Sequence, residues 1–202
     1  MKNNKLFLSI ARVISTIFVP PTFIVFVFSY FSFLIEDDSY NRLIIISTSI
    51  IFGLVLPVYV FIRMRKTNSI TDIDATQKEE RNTPYLLNSF FCIFSIPPLL
   101  ILEIDHFFIV LWALYFINTL FLYFINKKWK ISVHLIGATI PLGALHFIED
   151  TYFYIFLIVI LVISWARIRL DVHNLLQVIA GAILGFSTTY FGLYIFYYYI
   201  FI

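Results

Sequence analysis

The chain has 202 residues, of which 61% are hydrophobic and only 13% are charged. A soluble domain of this size could not bury so much apolar surface, so the composition excludes an ordinary soluble protein and predicts an integral membrane protein. The formal net charge of +2 is too small and too scattered to suggest nucleic acid binding.

Seven uncharged runs follow one another along the chain. About 20 apolar residues of helix cross the roughly 30 Å hydrocarbon core of a bilayer. We therefore expect an all-α bundle of about seven transmembrane helices, forming one membrane domain over residues 1–202. The pairs Pro20-Pro21 and Pro97-Pro98 fall inside the first and third runs, where we expect kinks rather than helix ends. In chain order, the runs are 13–35, 43–62, 85–102, 107–125, 131–148, 151–166 and 174–202.

The breaks between these runs alternate in charge. Seven spans would place the N-terminus and every basic break on one side, which then holds 13 of the 14 Lys and Arg residues. By the positive-inside rule, this side faces the cytoplasm, which predicts a multi-pass protein of the inner membrane with a cytoplasmic N-terminus. The acidic breaks are 36–38, 103–105 and 149–150, and the basic breaks are 63–84, 127–130 and 167–173.

The basic breaks and their flanks carry the candidate functional residues. Ionisable groups at the mouth of a helix bundle are functional candidates, because placing them there is costly. We expect the active site on the same, cytoplasmic side of the membrane. The first break contains Lys78 and Arg81, the second stretch contains Lys130, Ser132 and His134, and the third contains Arg167, His173 and Gln177.

These residue types predict a phosphate site. Arginine presents a planar fork that binds phosphate oxygens bidentately, and lysine adds a point charge. Ser132 can bind an anion or cap the fifth helix, and helix N-termini add N–H groups and a favourable dipole. Two histidines suit a two-step displacement, with one nucleophile and one proton donor. His173 and Gln177 are four residues apart and share a helix face, so the amide could hold the imidazole in one tautomer.

The third stretch resembles a signature of the type 2 phosphatidic acid phosphatase superfamily. That signature reads Ser-Arg, five residues, His, three residues, Asp, and then commonly an apolar pair with Ala-Gly. Arg167, His173 and the pair Ala180-Gly181 match it in register. Gln177 stands in place of the Asp, and some polyprenyl-diphosphate phosphatases of the superfamily are similar in this respect, which favours that substrate class.

Residues 130–134 resemble a second signature of the same superfamily, Pro-Ser-Gly-His. Ser132 and His134 match it. The resemblance implies a metal-independent membrane phosphatase that needs no cofactor and acts on a lipid phosphate. His173 would be the phosphorylated nucleophile and His134 the general acid. The phosphate-binding residues would be Arg167, Ser132 and Lys130, together with Lys78 and Arg81 as the nearest candidates for the first signature.

Two other functions stay open at this point. Asp72 and Asp74 faintly resemble the first Asp-rich motif of membrane prenyltransferases, which bind diphosphate through magnesium. Those enzymes use a second Asp-rich loop, and no later basic break contains one. The other alternative is a non-catalytic membrane protein that binds lipid. Strict magnesium dependence would indicate the first alternative, and turnover by the purified protein would exclude the second.

Overall fold

The protein is all-helical and has the helices of a membrane protein. A computed structural model describes residues 2–148 and 153–199, with side chains from Lys5 onward. Helices account for 84% of the described residues, which include no strand. The expected all-α class is therefore confirmed. The acidic break at Glu149 and Asp150 lies outside the described residues, as do residues 151–152 and 200–202 at the ends of two predicted spans.

Ten α-helices follow one another along the described chain. A π-helical segment, Ser49–Val55, joins the third to the fourth, and a short 3-10 turn, Lys78–Arg81, leads into the fifth. The helices are α1 (Lys2–Ile17), α2 (Pro20–Ile35), α3 (Ser39–Thr48), α4 (Leu56–Lys66), α5 (Asn82–Phe94), α6 (Ile96–Ile101), α7 (His106–Lys128), α8 (Val133–Ile148), α9 (Phe153–Arg169) and α10 (Leu175–Tyr199).

Four helical stretches are long and apolar enough to cross a membrane, and a fifth results if the broken pair Lys5–Ile17 and Pro20–Ile35 counts as one span. α8 is apolar but has only 16 residues. The described residues thus support four to five spans, and the count of seven stays a prediction. The four stretches are Ser39–Lys66, Lys78–Ile101, His106–Lys128 and Leu175–Tyr199.

The expectation that Pro20-Pro21 only kinks a helix is wrong. α1 ends at Ile17 and a new helix begins at Pro20. Proline disfavours the helical conformation in the residue before it, so Val19 leaves the helix. Pro20 is the first residue of α2, where a backbone N–H would have no acceptor within the helix. The N–H that proline lacks therefore costs no helical hydrogen bond. The other proline pair behaves as expected, because only Ser95 separates α5 from α6 within one helical stretch.

Three helices end with a polar residue in the left-handed conformation. Asn68, Glu103 and Asp171 have φ values of 56°, 52° and 57°. The N–H groups of each residue and of its successor return to carbonyls of the last helical turn, as in the Schellman motif. Glycine usually takes this position, because other residues lose about 1–2 kcal/mol there. α4, α6 and α9 are therefore terminated without glycine.

The chain forms two compact units. One comprises Met1–Pro20 together with Lys130–Ile202, and the other comprises Pro21–Trp129. The second unit has an aromatic core, in which Phe28 packs on Trp112 with ring centroids 4.6 Å apart and Phe31 packs edge-on against Phe107 at 4.8 Å. All four rings are fully buried. Large aromatic rings such as these dominate the packing energy of an interior.

α8 is the central helix of the first unit. Every side chain from Leu135 to Leu145 is buried. A helix that is apolar on all sides belongs in an interior, where it contacts other helices rather than solvent. α9 and α10 instead expose large apolar side chains such as Ile158 and Ile183. An exposed apolar surface of this kind is typical of helices that contact lipid.

Glycines allow α8 and α10 to approach closely. A Cβ atom at Gly181 would lie 2.6 Å from the carbonyl oxygen of Ser132. A Cβ atom at Gly185 would lie 2.6 Å from the carbonyl oxygen of Ile136. Small residues at such an interface let two helix backbones come within contact distance. The start of α8 is therefore held directly against the first half of α10.

Gly185→Ala should destabilise the first unit. The added methyl group would clash with the Ile136 carbonyl and the Thr139 hydroxyl. The carbonyl belongs to the backbone of α8, so relieving the clash requires the two helices to move apart. Overpacking of this kind costs about 1–3 kcal/mol and should lower the melting temperature of the detergent-purified protein. Ile183→Ala is the matched control, because Ile183 is 61% exposed on the same helix. An unchanged melting temperature for Gly185→Ala would contradict the close packing.

Candidate functional site

The first unit contains six of the eight candidate residues, and the second unit contains Lys78 and Arg81. The six belong to three helix ends. Lys130, Ser132 and His134 lie at the start of α8, Arg167 lies in the last turn of α9, and His173 and Gln177 lie at the start of α10.

A short turn connects α9 to α10 and places His173. The N–H of Val172 donates to the carbonyl of Arg167 at 3.3 Å, and that of Asp171 donates to the carbonyl of Ile168 at 3.0 Å. Asp171 takes the left-handed position of this Schellman turn, which glycine usually occupies. Asp visits this conformation more readily than most residues, so the turn forms without glycine.

Asn174 and Gln177 form a capping box at the start of α10. The N–H of Gln177 donates to Asn174 Oδ1 at 2.9 Å, and the N–H of Asn174 donates to Gln177 Oε1 at 3.2 Å. Such a reciprocal pair satisfies two N–H groups at a helix start. His173 immediately precedes the cap, and its Nδ1 lies 3.1 Å from the same Gln177 oxygen. The side-chain oxygen of Gln177 therefore contacts both the first N–H of the capping box and the ring of His173.

The capping box determines which atom of the Gln177 amide faces His173. The oxygen and nitrogen of a side-chain amide have nearly the same shape and are assigned from their partners. Only the oxygen can accept a hydrogen bond from the Asn174 N–H, and this oxygen also faces Nδ1 of His173. Nδ1 must then carry a proton, which leaves the lone pair of the neutral imidazole on Nε2. Gln177 thus sets the tautomer of His173.

Ser132 connects the start of α8 to the start of α10. Its N–H donates to the carbonyl oxygen of Gln177 at 3.3 Å, and its own carbonyl lies against Gly181. The Ser132 side chain is fully buried, and its Oγ has no hydrogen-bond partner within residues 2–148 and 153–199. Burying a hydroxyl without a partner costs about 1–3 kcal/mol. This oxygen is therefore a candidate contact for a bound polar group.

Ser15 of α1 contacts two of the candidate residues. Arg167 is only 1% exposed, and its Nη1 donates to the hydroxyl of Ser15. His134 is half-buried, and its Nε2 lies 3.3 Å from the main-chain carbonyl oxygen of Ser15. A carbonyl oxygen can only accept, so Nε2 of His134 is the donor in this contact. Arg167 and His134 are in this way connected through one buried serine.

An open depression of about 400 Å³ lies beside His173. Lys130, Asp171, Asn174 and Gln177 contribute to its lining. Its volume falls within the range of about 300–1,000 Å³ that is typical of small-molecule sites. Lys130 contributes a positive charge to this depression and Asp171 a negative one, and the start of α10 adds the positive end of a helix dipole. The depression therefore combines an oriented imidazole with features that favour an anion.

Lys78 and Arg81 have structural contacts in the second unit. Lys78 Nζ donates to the carbonyl oxygen of Lys127, near the end of α7, at 3.2 Å. Arg81 is only 3% exposed. Its Nε donates to the Ala75 carbonyl at 2.6 Å, and its Nη2 donates to the Asp74 carbonyl at 3.1 Å. Both side chains thus stabilise the connection between α4 and α5.

Asp72 organises the same connection. Its carboxylate accepts hydrogen bonds from the N–H of Asp74 at 2.8 Å and from the N–H of Thr76 at 3.1 and 3.2 Å. Burial alone would raise the pKa of Asp72, but the hydrogen bonds from Thr76 and Asp74 outweigh it, so the pKa lies below its ordinary value. Within the described part of the chain, no group of three or more His, Cys, Asp or Glu side chains is arranged to hold a metal ion.

Sequence reasoning missed Asn174 and Ser15. Asn174 had a readable signal, because Asn followed three residues later by Gln, just before an apolar run, is a capping-box pattern. Ser15 had none. It lies in an apolar run 152 positions before Arg167, and only the packing of α1 brings the two together.

Comparisons with protein-family models, with characterised proteins and with solved structures found no match for this chain. The inference of its function therefore depends on the site residues and their geometry.

Asp72→Asn should destabilise the protein in a pH-dependent way. A carboxyl group whose pKa is depressed by folding stabilises the folded state above its unfolded pKa of about 3.9, and this contribution is lost as the pH falls through the folded pKa. The melting temperature of the variant should therefore lie below that of the wild type at pH 7, and the two should converge below about pH 4. Asp37→Asn, at an exposed position, is the control and should show no such difference. A gap of equal size at pH 7 and pH 3 would contradict the role of the ionised carboxylate.

Proposed function

We propose that this protein is a membrane phosphatase that removes phosphate from a lipid phosphate or diphosphate, with a polyprenyl chain as the favoured lipid. The observation that carries the proposal is the contact between His173 Nδ1 and Gln177 Oε1, at 3.1 Å. It leaves the nucleophilic nitrogen of the neutral imidazole, Nε2, opposite the orienting amide. The depression beside His173, which Lys130 lines, would receive the phosphate.

In the proposed reaction, Nε2 of His173 attacks the terminal phosphorus atom in line with its bond to the leaving oxygen, which belongs to the lipid alcohol in a monophosphate and to the lipid monophosphate in a diphosphate. The N–P bond forms as the P–O bond breaks, and His134 protonates the leaving oxygen. A water molecule then cleaves the phosphohistidine, which releases inorganic phosphate and regenerates His173. Phosphoryl transfer of this kind depends mainly on positioning and on cations near the phosphoryl oxygens.

Lys130, Ser132 and Arg167 are the proposed ligands of the phosphoryl group. Lys130 already lines the depression. Ser132 and Arg167 are buried, so they would bind a phosphoryl group that enters between the starts of α8 and α10. Arg167 offers a planar guanidinium, which matches phosphate oxygens better than a lysine would. Lys78 and Arg81 stay predictions as phosphate ligands, and in the second unit their side chains donate to main-chain carbonyls.

The membrane arrangement belongs to the same proposal. Seven spans would include α8 and α9, with the N-terminus and the active site on the cytoplasmic side of the inner membrane. The burial of α8 on all sides supports this count, because a helix surrounded by other helices need not match the full thickness of the lipid core. The charge asymmetry between the two sets of breaks supports the orientation.

Release of inorganic phosphate by the purified protein in excess EDTA tests the proposal. We expect release from a polyprenyl diphosphate, compared with phosphatidic acid as a second substrate, and no detectable release by His173→Ala. His106→Ala is the matched control, because His106 is exposed at the start of α7, and it should keep wild-type activity. Prenyl transfer that requires magnesium would favour the Asp-rich loop instead. Inactivity under both conditions would favour a non-catalytic lipid-binding protein.

Gln177→Ala should reduce turnover by about 10- to 100-fold, the range expected when a hydrogen bond to an ionisable group is lost. The variant removes the acceptor that keeps the proton of His173 on Nδ1. Asn174→Ala is the matched control, since it removes the bond to the Gln177 N–H but leaves the contact between Gln177 and His173. Phosphate release by both variants is the measurement. Equal losses would indicate that Gln177 matters only for helix capping.

A further inference from the structure

α1 meets the rest of the first unit through two small residues. Among its described side chains, only Ala11 and Ser15 are buried. They are four residues apart and so share one face of the helix. Small side chains allow the backbones of two helices to approach closely. α1 packs on α9, where Phe7 also lies edge-on to Trp165 with ring centroids 6.4 Å apart.

The end of this segment is also fixed to α8. A Cβ atom at Gly137 would lie 2.9 Å from Cβ of Pro20, so the two backbones are in contact there. Ser15 therefore lies where the segment is held by α9 on one side and by α8 on the other. Arg167 and His134 belong to these two helices.

Ser15 uses both its side chain and its main chain at this position. The hydroxyl accepts a hydrogen bond from Nη1 of Arg167. The carbonyl oxygen lies in the last turn of α1, where carbonyls have no donor within their own helix. It lies 3.3 Å from Nε2 of His134. Ala11, on the same face, makes the same close packing possible without a hydroxyl, so packing alone does not require serine at position 15.

We propose that Ser15 is a positioning residue of the phosphoryl site, which makes α1 part of the functional machinery. Ser15 holds the plane of the Arg167 guanidinium, and it also fixes the ring of His134. Because the Nε2 proton of His134 is donated to the Ser15 carbonyl, the proton that reaches the leaving oxygen comes from Nδ1 of the imidazolium. This inference rests on the proposed function, since it takes a phosphoryl group as the ligand of Arg167.

Two measurements test the role of Ser15: the dissociation constant of inorganic phosphate, and kcat and KM for a polyprenyl diphosphate. Ser15→Ala should weaken phosphate binding about tenfold, because the guanidinium loses one of its anchors. Ser15→Thr keeps the hydroxyl and should restore binding. Thr16→Ala is the matched control, since Thr16 is exposed and its hydroxyl donates to the Arg12 carbonyl of its own helix at 2.9 Å. It should behave as the wild type.

A double variant shows whether Ser15 acts through Arg167. In an Arg167→Lys background, Ser15→Ala should weaken phosphate binding no further. An additional tenfold loss in that background would overturn the inference, as would wild-type binding by Ser15→Ala alone. If Ser15→Ala lowers the melting temperature too far for measurement, Ser15→Cys replaces it, because the thiol fills the position of the hydroxyl but is a poorer acceptor, and it should still weaken binding.

The outcomes separate this inference from the proposed function. Phosphate binding that depends on Ser15, without any turnover of lipid, would leave the positioning role intact and reject the phosphatase. Turnover by the wild type, with identical kcat and KM in Ser15→Ala, would support the phosphatase and reject the positioning role of Ser15. A wild-type protein that binds no phosphate would reject both.

Discussion

The side-chain oxygen of Gln177 accepts two hydrogen bonds, and the geometry of the candidate site depends on them. The bond from the Asn174 N–H starts α10. The bond from Nδ1 of His173 selects the tautomer of the imidazole. A carboxylate at this position would accept both bonds and add a negative charge, which favours an imidazolium. The neutral amide orients the ring without that charge, so it suits a neutral histidine, which the proposed nucleophilic role requires.

Backbone contacts hold the three helix ends that carry the site. Gly181 admits the carbonyl of Ser132, and the N–H of Ser132 donates to the carbonyl of Gln177. Asp171 closes the turn after α9 in the left-handed conformation. Buried backbone N–H and C=O groups need hydrogen-bond partners. The close packing of α8 and α10 supplies those partners, and the side chains of the site are positioned as a consequence.

Local patterns predicted the helices and missed the contacts between distant segments. Runs of apolar residues such as 107–125 predicted membrane helices, because their length and hydrophobicity alone suffice. Pro20-Pro21 was misjudged, since a proline pair is compatible both with a kink and with the start of a helix. The charge of Lys78 suits both a contact with the carbonyl of Lys127 and a phosphate ligand, so its phosphate-binding role stays a prediction. Ser15 could not be found from the sequence, because its partners lie more than a hundred positions away.

The first unit combines an N-terminal segment with the C-terminal part of the chain, so its segments are synthesised at different times. Arg167 is buried near the end of α9, where an unpartnered guanidinium would be costly. Its partner Ser15 is synthesised 152 positions earlier and belongs to the same unit. Domains generally form from the N-terminus during synthesis, so the hydroxyl is already available when α9 is made. α1 therefore provides a polar contact that allows a buried arginine to be tolerated beside the site.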